Sequence, residues 1–272
     1  GDAPVEPLPP NPSDALTGVS VLDLTRVIAG PVCGRTLAAY GAEVLRVSAA
    51  RLPRDPKVLE IDGGRGKRSV FIDLKTAAGR AELESHLTAA DVFVQGYRPG
   101  ALDDLGFAPE RLAALRPGIV SVSISAWGHV GPWARRRGFD SLVQTATGIN
   151  WAEAEAAGVE GPKPLPCQAL DFASGYLMTM GAMAGLYKRA TEGGSWRVRV
   201  ALARTGRWLQ SLGRIDDGFR VSAPNHADIA DLLLEIPSDY GLLTAVKHPV
   251  RLSSSPVEVG LAPQPYPGSL DA

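Results

Sequence analysis

The chain has 272 residues, a formal net charge of -1, and 45% apolar against 21% charged residues, the profile of an ordinary globular protein able to bury a core. Charge so close to balance asks for neither nucleic acid nor an anionic membrane as partner, and no apolar run reaches the ~18 residues that span a bilayer. Cys33, Cys167 and four scattered histidines show no ligand spacing, so no disulfide scaffold and no metal site is expected.

The first residues, GDAPVEPLPPNPSDA, lack a basic stretch followed by an apolar core, so they do not read as a secretory signal and a cytoplasmic protein is expected. Their proline content predicts an extended linker over 1–16. VSVLDLT (19–25) is short, β-branched and apolar, hence a buried strand. In 31–41, Pro31 is placed to open a helix and Gly41 to close it. Further strands are predicted over 42–48, 68–74, 91–95 and 118–126, and a helix over 76–90 with Leu83 and Leu87 on one face. A helix over 139–147 precedes a long apolar one headed by Asp171. Beyond 203 the pattern thins. TGRWLQSLGRI and 227–236 suggest two more helices, and the tail suggests a short strand and an irregular arm.

Strands alternating with helices predict an α/β fold, a parallel sheet covered by helices on both faces. Ligands then bind in the loops at the carboxyl ends of the strands, here 26–31, 48–67, 95–100 and 126–138. GGRGKRS (63–69) is not a phosphate loop: Ile61 stands where a glycine is needed, Arg68 stands where Ser or Thr is needed, and a strand follows. Lys67 and Arg68 read either as a solvated pair or as phosphate contacts. No GxGxxG follows the first strand, which argues against a nicotinamide or flavin dinucleotide. Tyr97 could stack on a ligand and Arg98 could hold an anion; His129, between glycines, is a further acid–base candidate. Asp171 has two readings. It is a favoured helix cap, kept ionised by the helix dipole, and it is a carboxylate able to act as a nucleophile.

Several segments in order resemble family III CoA-transferases, the group of formyl-CoA transferase, carnitine CoA-transferase and the α-methylacyl-CoA racemases. They are LTGVSVLDLTRVIAGPVCGRTLAAYGAEVLRV, GKRSVFIDLKTAAGR, ADVFVQGYRPGALDDLGF, VSVSISAWGHVGPWARRRGFDSLVQTATG and ALDFASG. The resemblance covers roughly 17–205 and implies a Rossmann-like CoA-binding domain there, with 206–272 a shortened C-terminal segment ending in an extended arm. It implies no tightly bound cofactor, acyl-CoA and a carboxylic acid acceptor as substrates, and a homodimer. It gives Asp171 the role of attacking the thioester to form an acyl-anhydride. It places Val27 and Ala29 against the adenine and ribose of CoA, Arg46 near the nucleotide, Lys67 near its phosphates, and Gln95 and Tyr97 along the pantetheine arm.

The chain departs from the family pattern in four ways. Gly96 replaces an asparagine, Asp104 an arginine and Ser48 a glutamate. The family's small domain, which would lie between the Asp171 region and the arm, is largely missing. A racemase would carry histidine before aspartate where this chain has Phe139 and Asp140. CoA binding without turnover is the remaining alternative.

Overall fold

Five apolar, β-branched segments form parallel strands in the computed structural model of the protein, which describes residues 3–8, 14–216, 218–250 and 262–267. They are β1 (Ser20–Leu24), β2 (Glu43–Ser48), β3 (Lys67–Phe71), β4 (Val92–Gln95) and β5 (Val120–Ser125). A sixth, β6 (Trp196–Ala201), completes the sheet in the order β3-β2-β1-β4-β5-β6. Every pair in it is parallel. The order reverses between β1 and β4, and the carboxyl ends of those two strands open the crevice where α/β sheets take ligands.

Both faces carry helices, as expected of a parallel sheet, although Arg197 and Arg199 on β6 stay exposed. On one face α1 (Ala29–Ala39) and α7 (Ala169–Glu192) pack together over Val21, Val44, Val92, Val94, Val120 and Val122. On the other, α3 (Ala77–Leu87) and α4 (Pro109–Leu115) cover Leu22, Leu24, Val47 and Phe93. The alternation of side chains along each strand assigns these residues to opposite faces. Thr76 caps α3, its hydroxyl accepting the Gly79 N–H at 2.9 Å. Shorter helices fill the crossings: α2 (Lys57–Gly64), α5 (Asp140–Ala146), α6 (Ile149–Ala157) and α8 (Leu202–Ser211).

One predicted helix is instead mostly strand. Within 227–236, a single 3-10 turn over Ala230–Leu232 gives way to β7 (Leu233–Ser238), antiparallel to β8 (Gly241–Val246). Pro237 cannot donate to a helix ladder, and hairpin pairing satisfies the backbone that a lone helix would leave exposed. Most of the predicted arm lies outside the described residues. At the other end, residues 3–8 lie against the body. Glu6 pairs with Arg116 at 2.7 Å, and the Ala3 carbonyl accepts the Gly194 N–H at 2.8 Å.

Candidate active site

Asp171 is the third residue of α7 and only 6% exposed. It does not cap the helix: Gln168 holds the N-cap position, and no side chain of that residue closes the turn. The capping oxygen comes from elsewhere in the chain. Asp140, the fully buried first residue of α5, accepts the Asp171 backbone N–H through Oδ2 at 2.8 Å. Its Oδ1 accepts from Gln144 Nε2. Gln144 is anchored in turn, donating to the Cys167 carbonyl at 3.2 Å and accepting the Leu165 N–H at 3.1 Å. The segment before α7 is therefore tied to α5, one turn above Asp140.

The consequence for Asp171 is electrostatic. Burial, and secondarily the charge of Asp140, push its carboxyl up from 3.8 to about 7. The expectation that the helix dipole would keep it ionised is thus corrected. Dipole stabilisation of a carboxylate reaches ~2 kcal/mol at best, and desolvation beside a second acid outweighs it. Near neutral pH the group sits between its protonated and ionised forms, where a nucleophile or general base is poised.

The start of α1 comes against the first turns of α7. A Cβ on Gly175 would lie 2.6 Å from the Ala29 carbonyl oxygen and 2.7 Å from Val32 Cβ. Only glycine allows this approach, so Ala29 and the head of the Asp171 helix are brought together as one floor. The loop leading into α1 is strained. Val27 has φ of +71°, the only positive φ of a non-glycine among the described residues, an arrangement costly for a β-branched side chain. It is held by Asp55, whose Oδ2 accepts the Val27 N–H at 3.1 Å while Oδ1 pairs with Arg26 at 2.7 Å.

Two predicted nucleotide contacts are built into the interior instead. Lys67 is neither solvated nor free to meet a phosphate. It is fully buried, and its Nζ donates to Asp23 Oδ2 at 2.6 Å and to the Pro31 carbonyl at 2.9 Å. Burial pulls its ammonium down and Asp23 pulls it back up, as a buried charge demands a partner. Gly34 leaves the room, since a Cβ there would lie 2.7 Å from Nζ. Asp23 also accepts the Thr25 N–H at 3.0 Å and the Thr25 hydroxyl. Lys67 therefore positions the loop after β1.

Arg46 is likewise enclosed, donating to Ser69 Oγ at 2.9 Å, to the Glu60 carbonyl at 3.2 Å and to the Gln264 carbonyl at 3.3 Å. Its guanidinium lies 3.9 Å from the Tyr266 ring centroid, and that ring stacks on Phe71.

The β4 loop matches the expectation of an open site better. Gln95 Oε1 accepts the Tyr97 N–H at 2.7 Å, fixing the turn at the switch point. Tyr97 is half-buried and Arg98 exposed. A Cβ on Gly96 would make only ordinary contact, 3.5 Å from Ile124. The structure thus sets Ala29 against the turn of α7 that follows Asp171, places Gln95 and Tyr97 at the end of β4, and commits Arg46 and Lys67 to internal partners. His129 falls on the other face of β5, against Ser123 at 3.1 Å, away from the cap network of Asp171.

Sequence reasoning missed Asp140 as the partner of Asp171 and Gln144 as the residue that anchors Asp140. The signal was present: residues four apart on a helix share a face, and Asp140 opens its helix. Among the described residues no cluster of His, Cys, Asp or Glu could hold a metal, and no helix is long and apolar enough to cross a membrane.

Residues 16–216 match CoA-transferase family III. The chain is 34% identical over 214 residues to acetyl-coenzyme A transferase nodX of Hypoxylon pulicicidum, covering 77% of this chain and 36% of that one. It is 32% identical over 213 residues to the probable fatty acyl-CoA transferase Rv3272 of Mycobacterium tuberculosis, covering 74% and 54%. A formyl-CoA:oxalate CoA-transferase of Escherichia coli is 29% identical over 202 residues, covering 70% and 48%. The chain spans about half or less of the length of these curated relatives. An orthorhombic crystal structure of Rv3272 superposes with a TM-score of 0.68 at 31% identity, over 74% of this chain and 58% of that one. A mutant of the same protein gives 0.82 at 22% identity, over 94% and 97%, a likeness of fold.

Proposed function

The chain belongs to CoA-transferase family III, and we propose that it moves CoA between carboxylic acids through an acyl-anhydride on Asp171. The observation that carries this reading is the state of that carboxyl: buried at the head of α7, with its pKa raised to about 7. A carboxylate of raised basicity is a better nucleophile once ionised, and shielding from water protects an anhydride from hydrolysis.

In the proposed sequence, the Asp171 carboxylate attacks the acyl thioester carbonyl. The C–S bond breaks, CoA leaves as thiolate, and a mixed anhydride remains. The thiolate then attacks the aspartyl carbonyl, releasing the donor acid as carboxylate and leaving an aspartyl-CoA thioester. The acceptor carboxylate attacks that thioester and expels CoA thiolate. This thiolate takes the acceptor acyl group and returns Asp171 as carboxylate.

CoA would enter at the switch point, with Val27 and Ala29 on one side, Gln95 and Tyr97 on the other, and Arg98 free to meet an anionic group. CoA and its acyl esters are substrates in this reading, and no tightly bound cofactor is required. The acceptor is a carboxylic acid. A homodimer is part of the proposal, supported by the exposure of Met180 and Tyr187, seven residues apart on α7. An α-proton racemase would need a second proton-transfer group beside Asp140, and Phe139 supplies none. Binding without turnover is the second reading, resting on the shortened chain and on Gly96 and Asp104 in place of the family's asparagine and arginine.

The test is calorimetric titration with CoA, followed by exchange of labelled CoA between acyl-CoA and free acids in the parent and in Asp171→Asn. Exchange in the parent that falls to background in the variant supports transfer. CoA binding without exchange in either assigns the second reading, and no binding at millimolar CoA removes both.

A further inference from the structure

The sheet face opposite α7 carries a second concavity, a cleft of about 300 Å³ over β4, β5 and β6. The strand register lays its floor in two rows. Phe93, Ser121 and Arg197 stand side by side in one, and Gln95, Ser123 and Arg199 in the next. Arg197 and Arg199 are two residues apart on the edge strand, so both side chains rise from the same face. His129, Leu102, Asp103 and Arg135 also line it, Arg135 donating to the Pro99 carbonyl at 3.3 Å.

Neither Arg197 nor Arg199 has a hydrogen bond or ion pair among the described residues. Glu110 and Asp103 act on Arg197 only as distant charges. Ser123 Oγ lies 3.2 Å from the Val198 carbonyl and 3.1 Å from His129 Nε2; with its proton on the carbonyl, the Nε2–H tautomer of His129 is the donor. His129 then presents its other nitrogen for protonation. Burial, and after it Arg199 and Arg197, hold that imidazole below its ordinary pKa. Two neighbouring guanidinia repel one another and a histidine across a floor of serine hydroxyls, and Asp103 and Glu110 offset Arg197 only in part, the net direction of its shift being downward.

We propose that this cleft binds a small dianionic oxyanion, a phosphate group or a dicarboxylate, between Arg197 and Arg199. Arg135 is paired with Asp104 at 3.9 Å, and Glu110 and Asp103 act on Arg197 only from a distance, so Arg197 and Arg199 are the two guanidinia of the cleft without a direct ion pair, which one dianion can bridge. Guanidinium forks match both oxyanion types bidentately. A cleft of about 300 Å³ has room for phosphate or succinate. The cleft lies on the opposite sheet face from Asp171 and shares Gln95 with the proposed CoA entry, whereas Arg197 and Arg199 belong to the cleft alone.

The experiment is calorimetry at low ionic strength, where exposed charges are least screened, with inorganic phosphate, succinate and acetate as probes. Phosphate or succinate should bind at least about tenfold more tightly than acetate. Whichever of the two binds identifies the head group. Arg197→Gln and Arg199→Gln, singly, should each weaken that binding about tenfold or more, the scale of one lost charge-assisted bond. The exposed Arg207→Gln on α8 should leave it unchanged. The His129 pKa, followed by NMR, should rise when the dianion is bound.

Equal binding of acetate and the dianions would overturn the proposal. So would arginine variants that respond like the parent, provided circular dichroism shows them folded. Displacement of phosphate by CoA, with Arg197→Gln weakening CoA binding to the same degree, would overturn the claim of a separate site.

Discussion

Replacing Asp171 by asparagine should make the protein more stable above about pH 4, by an amount that grows until about pH 7 and is constant beyond it. The folded-state pKa is about 7 against an ordinary 3.8. Below about pH 4 both folded and unfolded chains hold the proton. Between about pH 4 and 7 the folded chain keeps it and the unfolded chain has released it, so stability falls as pH rises. Above about pH 7 the loss is complete, on the order of 4 kcal/mol at 1.36 kcal/mol per unit. Asparagine fills the same space, cannot ionise, and leaves the backbone N–H to Asp140 untouched. The stability difference between variant and parent should therefore climb from near zero at about pH 4 to roughly 4 kcal/mol at about pH 8. Urea unfolding of both proteins across that range measures it, and the subtraction removes every other titrating group. A helix cap favoured in its ionised form predicts the reverse sign, a variant less stable at pH 8. A flat difference, or a variant that loses stability as pH rises, would refute the burial argument.

Three further substitutions probe the supports of the site. Asp140→Asn keeps an oxygen for the Asp171 N–H and removes the charge, so the Asp171 pKa should fall part of the way back; burial, the larger cause, remains. Carbon-13 NMR of the Asp171 carboxyl reads the shift, and the disturbed Gln144 bond should cost about 1 kcal/mol in urea unfolding. Gly175→Ala drives a methyl into the Ala29 carbonyl and Val32 and should destabilise by about 1–3 kcal/mol, measured as a lower unfolding midpoint. Lys67→Met strands the Asp23 carboxylate in the interior and should cost about 3–5 kcal/mol, whereas Arg68→Gln, at an exposed position paired loosely with Glu43, should cost less than about 1 kcal/mol.

The five strands and the Asp171 helix were legible because their signals are local: β-branched runs for the strands, and one long apolar run behind small residues for α7. β6 carried a weaker form of the same signal, valines 198 and 200 alternating with arginines, and the hairpin β7–β8 was masked by leucines that suit a helix equally well. The placement of the candidate residues was legible in part. Asp171, Val27, Ala29, Gln95 and Tyr97 lie in segments that announce themselves as loops or helix starts after strands. The fates of Lys67 and Arg46 were not legible. A lysine at a strand start looks solvated until the fold sets Asp23 on the neighbouring helix-facing layer and Gly34 opposite its tip. Burial of a charge is decided by residues far away in sequence, and no local pattern reports it. The same holds for Asp140, whose contact with Asp171 spans 31 positions.

The central claim is that the Asp171 carboxylate becomes covalently acylated. Its most direct test is mass spectrometry of the intact protein and its peptides after brief incubation with an acyl-CoA, quenched with hydroxylamine to convert an activated aspartyl ester or anhydride into a hydroxamate. The account predicts a hydroxamate on the peptide containing Asp171, formed faster as pH rises through about 7 and absent from Asp171→Asn. A parent protein that binds CoA and yet shows no modification of that peptide, at any pH, would contradict it.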